Sequence, residues 1–306
     1  MRSTSDWTPA SIPDLGGRLA VVTGGNSGIG YATSLALAEH GARVVLACRD
    51  PERAGQAARA LRDRVPAASI ETATVDLADL RSVREFAARL EHPSIDLLVN
   101  NAGLALAPLS RTADGFETHF GVNHLGTFAL TGLLLPRLLA APAARVVTVS
   151  SEAQRYVSLD LDDPHGERRY RPWLAYLRSK KANVYFAAEL QRRATAAGAR
   201  LCSVAASPGL TRTNVLGTPQ NRPVLRRLVR ILGKPPSDGA APVLYAATTP
   251  LPHGGYVVPG GLLQQRGAPT RSDATRAVQD AATAARLWRM SEVLTGVCPD
   301  FAPRSL

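Results

Sequence analysis

The chain of 306 residues is 45% hydrophobic and 20% charged, which suits a globular protein with a sizeable buried core and excludes a disordered or fibrous one. Its net charge of +11 comes from 36 basic and 25 acidic residues spread along the chain; the densest runs, 167–171 and 222–230, carry few aromatics and fit no nucleic-acid motif, so a solvated Arg-rich surface is expected and a nucleic-acid partner is not. Cys48, Cys202 and Cys298 are too scattered for a disulfide framework or a zinc site, no metal is expected, and the most apolar stretch, 128–139, is broken by Pro136 and Arg137 and too short to span a bilayer.

The opening MRSTSDWTPASIPDL holds no apolar export segment, and a reducing, cytoplasmic setting is expected. Residues 18–23 (RLAVVT) read as a buried strand that meets a glycine-rich turn, then an amphipathic helix to about His40, ended by Gly41. Strand, turn and helix make a phosphate cradle. Its expected contacts are Gly24, Asn26, Ser27, Gly28, Ile29 and Gly30, because glycines admit a ligand to the backbone and the helix start offers free N–H groups. A second strand, 43–47, ends in Cys48-Arg49-Asp50. At that place an arginine accommodates a ribose 2′-phosphate, so Arg49 favours NADP(H) over NAD(H). Asp50 would favour a free 2′-OH unless it caps the helix that begins at Pro51.

A helix at 51–64, a strand at 69–75, a helix at 79–90 and a strand at 95–99 follow. Alternation of this kind predicts a parallel sheet with right-handed crossovers, whose ligands lie at the carboxyl ends of the strands. Thr23, Arg49, Asp76 and Asn101 all fall at such ends, with Leu77, Ala102 and Gly103 beside them. A long helix is expected over 114–139. Asn123 inside it needs partners for its amide, either a neighbouring loop or a functional group. A fifth strand, 145–149, runs into Ser150-Ser151, and 152–172 reads as an irregular excursion of functional length.

The next helix, about 173–197, carries Tyr176 and Lys180 four residues apart and therefore on one face. An ammonium so close should favour the phenolate and lower the tyrosine pKa, tuning it for proton exchange with an alcohol oxygen. A sixth strand at 200–205 leads to Ser207-Pro208-Gly209-Leu210-Thr211-Arg212-Thr213. Residues 214–236 are rich in Pro and basic side chains, with apolar residues at helical spacing, and suggest a lid over the cleft. A helix at 237–247 capped by Ser237, a strand at 255–258 and a final helix at about 273–294 complete the chain.

These motifs, TGGNSGIG at 23–30, VDL at 75–77, NNAG at 100–103, Asn123, Ser151, YLRSK at 176–180 and PGLTRT at 208–213, together resemble the short-chain dehydrogenase/reductase superfamily over residues 17–259. CRD at 48–50, GVNHLGTF at 121–128, SKKAN at 179–183 and LTGV at 294–297 look like its retinol-dehydrogenase-like branch, in particular the soluble bacterial type. The resemblance implies a single domain with a Rossmann-type doubly wound parallel sheet of about seven strands, helices on both faces and a C-terminal helical extension. The core would be 16–260, the substrate lid 210–236 and the extension 261–306.

It further implies that Asn123, Ser151, Tyr176 and Lys180 are the catalytic set. Tyr176 would be the general acid or base, Ser151 would bind the substrate oxygen, Lys180 would hold the nicotinamide ribose, and Asn123 would hold a water on a proton relay. Asp76, Leu77, Asn101, Ala102, Gly103, Pro208, Gly209, Thr211 and Thr213 would contact the cofactor with the residues above. Ser150 is the alternative to Ser151. Many members carry Leu and His where this chain has Lys181 and Ser207; Lys181 is expected to point away from the cofactor and Ser207 to lie near the pocket. The expected activity is hydride transfer between NADP(H) and a carbonyl or alcohol of a small, largely apolar molecule. Pocket walls would come from 104–109, 152–172 and the lid. A polyketide-type tailoring ketoreductase and a non-catalytic cofactor-sensing protein are the alternatives. Pairing through the helices at 114–139 and 173–197 would give a homodimer unless the extension keeps a monomer.

Overall fold

The structure is a computed structural model, and it describes residues 7–209, 211, 234–251, 255–261, 267–272 and 280–302. The expected lid at 210–236 and Thr213 therefore lie outside the described residues, apart from Thr211 and 234–236.

Among the described residues eight strands form one sheet: β1 (Leu19–Thr23), β2 (Arg43–Cys48), β3 (Ile70–Thr74), β4 (Leu97–Asn100), β5 (Ala144–Val149), β6 (Leu201–Ala206), β7 (Gly255–Pro259) and β8 (Pro269–Ser272). Their spatial order is 3-2-1-4-5-6-7-8. The first seven are parallel, as the doubly wound reading requires, and β8 runs antiparallel to β7. β8 was not expected, because PTRS shows no apolar alternation. Its antiparallel ladder to β7 holds it at the sheet edge, with Pro269 and Ser272 buried.

Helices α1 (Gly28–Glu39), α2 (Pro51–Arg64), α3 (Leu80–Arg89), α4 (Thr118–Phe120), α5 (Gly126–Ala140), α6 (Pro172–Ala196), α7 (Pro236–Thr248) and α8 (Ala281–Thr295) flank the sheet. Alternate residues of each strand point to opposite faces. Ala20 and Val22 join the core with α1, α2 and α7, whereas Leu19 and Val21 join the core with α3, α5 and α6. Both faces are covered, so β1 is buried at every position.

The long helix expected over 114–139 starts later. Glu117 caps it by accepting from the backbone N–H of His119 and Phe120, and a π-turn at Gly121–Leu125 joins α4 to α5. Among the described residues the last helix runs over Ala281–Thr295 with Asp280 as its cap, and α7 follows Pro235 rather than a Ser237 cap. Outside α5 and α6, α8 buries Trp288 against Phe128 and Phe186, under the guanidinium of Arg193. His124 in the π-turn ties Ser291 of α8 at 2.8 Å. Among the described residues no helix is long and apolar enough to cross a membrane.

Candidate active site

Strand order reverses between β1 and β4, which opens a crevice at their carboxyl ends. Thr23 closes its floor. Its hydroxyl accepts from the backbone N–H of Asn101 and of Ala102, both at 2.9 Å. The Asn101 amide is spent in the same junction, donating to the Thr23 carbonyl at 2.8 Å. Asn101 thus fixes the β4 loop to the glycine turn through its Nδ2 while it borders the cavity.

Gly24, Asn26, Ser27, Gly28, Arg49, Asp76, Leu77, Asn101, Ala102 and Gly103 border one cavity of about 370 Å³. Gly24 and Gly28 need their glycine identity for φ of +64° and +54°. Ile29 and Gly30 do not border it. Ile29 is buried, and a Cβ on Gly30 would fall 2.2 Å from the Gly24 carbonyl oxygen, so Gly30 lets α1 seat against the turn.

Arg53, Cys48 and Val122 also line the cavity and were not anticipated. Arg53 follows Arg49 by one helical turn across the start of α2, a spacing that could have revealed it. Asp50 accepts from the Arg53 backbone N–H at 3.0 Å as the helix cap, so its carboxylate is committed there. Two guanidiniums and a helix start give this end a positive field. Burial pushes the Cys48 thiol up to about 11, so it lines the cavity as a neutral group.

The second cluster stands at the end of β5. Ser150 is buried and its hydroxyl donates to the Lys180 carbonyl at 2.7 Å, whereas Ser151 is partly exposed and its hydroxyl lies beside the Tyr176 phenol. Lys180 Nζ donates to the Val149 carbonyl at 3.1 Å, beside Asn183, which donates to the same oxygen at 3.2 Å. Burial raises the Tyr176 phenol above its ordinary value, and the neighbouring Ser151 hydroxyl opposes it. Burial lowers Lys180 to about 8. The expected lowering of Tyr176 by Lys180 is therefore not present in this state. The two groups share a helix face, but the amine is turned to the β5 carbonyl and both are desolvated.

Asn123 lies in the π-turn and is fully committed on its nitrogen. Nδ2 donates to the Leu104 carbonyl at 3.0 Å and to Ser179 Oγ at 2.8 Å, while Oδ1 accepts from the Leu104 N–H at 2.9 Å. Its side chain binds a neighbouring loop, leaving one lone pair of Oδ1 for a relay. A Cβ on Gly103 would stand 2.9 Å from Asn123 Oδ1 and 3.1 Å from Lys180 Nζ, so this glycine joins the cavity to the second cluster.

Pro208, Gly209 and Thr211 follow β6 but do not border the cavity. Thr211 is buried, with its hydroxyl turned back to the Pro208 and Gly209 carbonyls at 3.3 and 3.4 Å. Ser207 is wholly buried, and its hydroxyl accepts from the Gly209 backbone N–H at 3.4 Å. Lys181 donates to the Val157 carbonyl at 2.6 Å, away from Lys180, and pins the excursion.

Residues 18–222 match the family model described as short chain dehydrogenase. Mouse retinol dehydrogenase 14 is 38% identical over 298 residues, covering 92% of this chain and 86% of that protein. Mouse polyprenol dehydrogenase is 38% identical over 305 residues, covering 96% and 89%. Among solved structures, an uncharacterized protein from Mycobacterium paratuberculosis is 41% identical and aligns with a TM-score of 0.81 over 96% of this chain and 99% of its own. A short chain dehydrogenase from Escherichia coli CFT073 complexed with NADPH is 26% identical, with a TM-score of 0.59 over 77% and 92%.

Proposed function

The chain belongs to the short chain dehydrogenase family, and from that premise we propose that it is an NADP(H)-dependent alcohol dehydrogenase or carbonyl reductase of the retinol-dehydrogenase-like branch, acting on a largely apolar substrate. The observation that carries the reading is the Ser151 hydroxyl set beside the Tyr176 phenol at the end of β5, with buried Lys180 one turn along and Gly103 leading to the cavity.

The residues present suit a phosphorylated dinucleotide. The glycine turn and Gly103 leave room that a Cβ would fill, and Arg49 with Arg53 supplies charge for a 2′-phosphate. When bound, the nicotinamide supplies or receives the hydride. This chain's residues do the rest. Ser151 and Tyr176 donate to the substrate oxygen and hold the carbon in place. As negative charge grows on that oxygen, the Tyr176 proton passes to it, and Lys180, when charged, stabilises the phenolate left behind. In oxidation the same proton returns to Tyr176. Asn123 holds the Leu104 wall and offers its remaining lone pair beside Lys180. Leu104, Leu106 and Leu109 suit an apolar substrate, consistent with relatives named for retinol and polyprenol.

The free cysteines suit a reducing cytoplasm. We read the chain as one domain, and because α8 covers α5 and α6, as a monomer.

Tyr176→Phe tests the mechanism. Reduction of decanal by NADPH should fall by about a thousandfold or more, while NADPH binding followed by fluorescence stays within about twofold. Near-normal turnover in that variant would refute Tyr176 as the proton carrier.

A further inference from the structure

Among the described residues only one non-glycine has a positive φ: Leu106, at +58°. A leucine there costs on the order of 1 kcal/mol, and such a conformation persists only where its surroundings over-determine it. Two sets of side chains do so. Asn123 takes both backbone groups of Leu104. One turn earlier, the Ala107 N–H donates to His119 Nε2 at 3.2 Å, and the Tyr170 hydroxyl lies 3.1 Å from the Ala107 carbonyl. The strained residue is thus stitched down on both sides from positions 119 and 123 of one helical stretch.

The chemistry behind the second stitch is determined. Accepting on Nε2 puts the imidazole proton on Nδ1, which donates to Glu117 Oε1 at 2.7 Å. Burial works to raise the Glu117 carboxyl, but hydrogen bonds from the His119 ring and from the backbone N–H of His119 and Phe120 outweigh it and hold it low. Tyr170 shares its proton between Ala107 and Glu117 Oε1, each 3.1 Å away. His119 is 0% exposed and Glu117 2%. The His119 ring also packs edge-on against Tyr176, with centroids 6.4 Å apart. One imidazole therefore touches both the proposed proton carrier and the loop expected to wall the substrate pocket.

We propose that Glu117, His119 and Tyr170 form a positioning latch that holds the 104–109 wall against Tyr176 and so selects which apolar carbonyl compounds fit. The selection rests on the oxidoreductase reading above; the latch does not, and it can be measured without turnover.

Hydrogen exchange of the 104–109 peptide, followed by mass spectrometry on the full chain, reads the latch through the Ala107 amide. His119→Ala should speed exchange there by about tenfold or more while β1 and β5 stay protected. His119→Gln can accept from Ala107 and donate to Glu117, and should restore protection. Tyr170→Phe, which removes only a hydroxyl, should fall between and carries the test if His119→Ala does not fold. With NADPH, His119→Ala should raise KM for decanal about tenfold with kcat changed less than about threefold, and narrow the preference for decanal over benzaldehyde. His119→Gln should reverse both changes. Unchanged exchange at 104–109 would overturn the latch, as would exchange that rises equally across the sheet. Faster local exchange with unaltered KM and selectivity would overturn the selecting role. A wild-type protein that reduces neither aldehyde would refute the oxidoreductase reading, and the exchange result would still decide the latch.

Discussion

Around the ends of β1 to β4 the cleft is walled chiefly by backbone: a glycine turn, the loop fixed by Thr23, and the start of two helices. Around β5 and the 104–109 loop it is walled by side chains that hold the loop by hydrogen bonds: Asn123 with Leu104, His119 and Tyr170 with Ala107. A backbone wall leaves no room for added atoms but is indifferent to most side chains. A side-chain wall tolerates changes of volume and fails when a hydrogen-bond partner is lost.

The sharpest test of that contrast is Gly30→Ala. One methyl group, 2.2 Å from the Gly24 carbonyl, must push α1 off the turn. Overpacking of this kind costs about 1–3 kcal/mol, and the displaced turn should weaken NADPH binding by about 100-fold. Thermal unfolding and fluorescence titration measure the two effects. An alanine variant that binds NADPH normally would show that the turn is not the rigid wall described.

Arg49→Ala probes one of the few places where the backbone half depends on side chains. Removing a charge-assisted contact of about 1.5–3 kcal/mol should weaken NADPH by roughly tenfold to 100-fold and leave NADH unaltered. Arg53→Ala should act in the same direction. Equal losses for both nucleotides would remove the 2′-phosphate assignment.

The two halves were unequally legible for a physical reason. The cradle is local: strand, glycines and helix are contiguous, and parallel topology sends Arg49, Asp76 and Asn101 to one edge. The parallel sheet followed from the same alternation, and its doubly wound form from the family resemblance. The side-chain half joins residues far apart with no period to betray them. His119 meets Ala107, Glu117 meets Tyr170, and Asn123 meets both Leu104 and Ser179. The buried amide of Asn123 was visible in the sequence, but its partners were not. Arg53 was not legible because it stands one helical turn beyond the strand end, where parallel topology alone does not say which side chains turn to the cleft. Helical spacing put Lys180 on the Tyr176 face, yet spacing says nothing of the Val149 carbonyl that accepts its hydrogen bond or of the desolvation that moves both pKa values.

Lys180 gives the side-chain half a pH signature that the backbone half lacks. Its folded pKa is lowered to about 8 by burial, against roughly 10.4 in an unfolded chain. Between those values the unfolded state holds more protons, so this group's contribution makes the protein more stable as pH rises through the window. Activity should run the opposite way. If reduction needs the ammonium, kcat/KM falls above about pH 8, approaching tenfold per unit. Lys180→Arg, with a guanidinium that stays charged, should remove the descending limb at whatever rate it retains. A wild-type profile flat to pH 10 would contradict the assignment.

The smallest effect belongs to Lys181, at the margin of the side-chain half. Its ammonium donates to the Val157 carbonyl at 2.6 Å and holds the start of the excursion to α6. Many members of the superfamily carry leucine here, so Lys181→Leu asks how much one such bond matters. The excursion has other ties: Arg168 meets Asp160 and Asp163, and Tyr170 reaches Glu117. The carbonyl can also recover a bond from water. The loss should therefore be about 1 kcal/mol, with KM for decanal raised no more than about threefold and NADPH binding unchanged. If Lys181→Leu instead weakened NADPH, Lys181 would belong to the electrostatics of the cofactor, and the boundary between the two halves would have to move across α6.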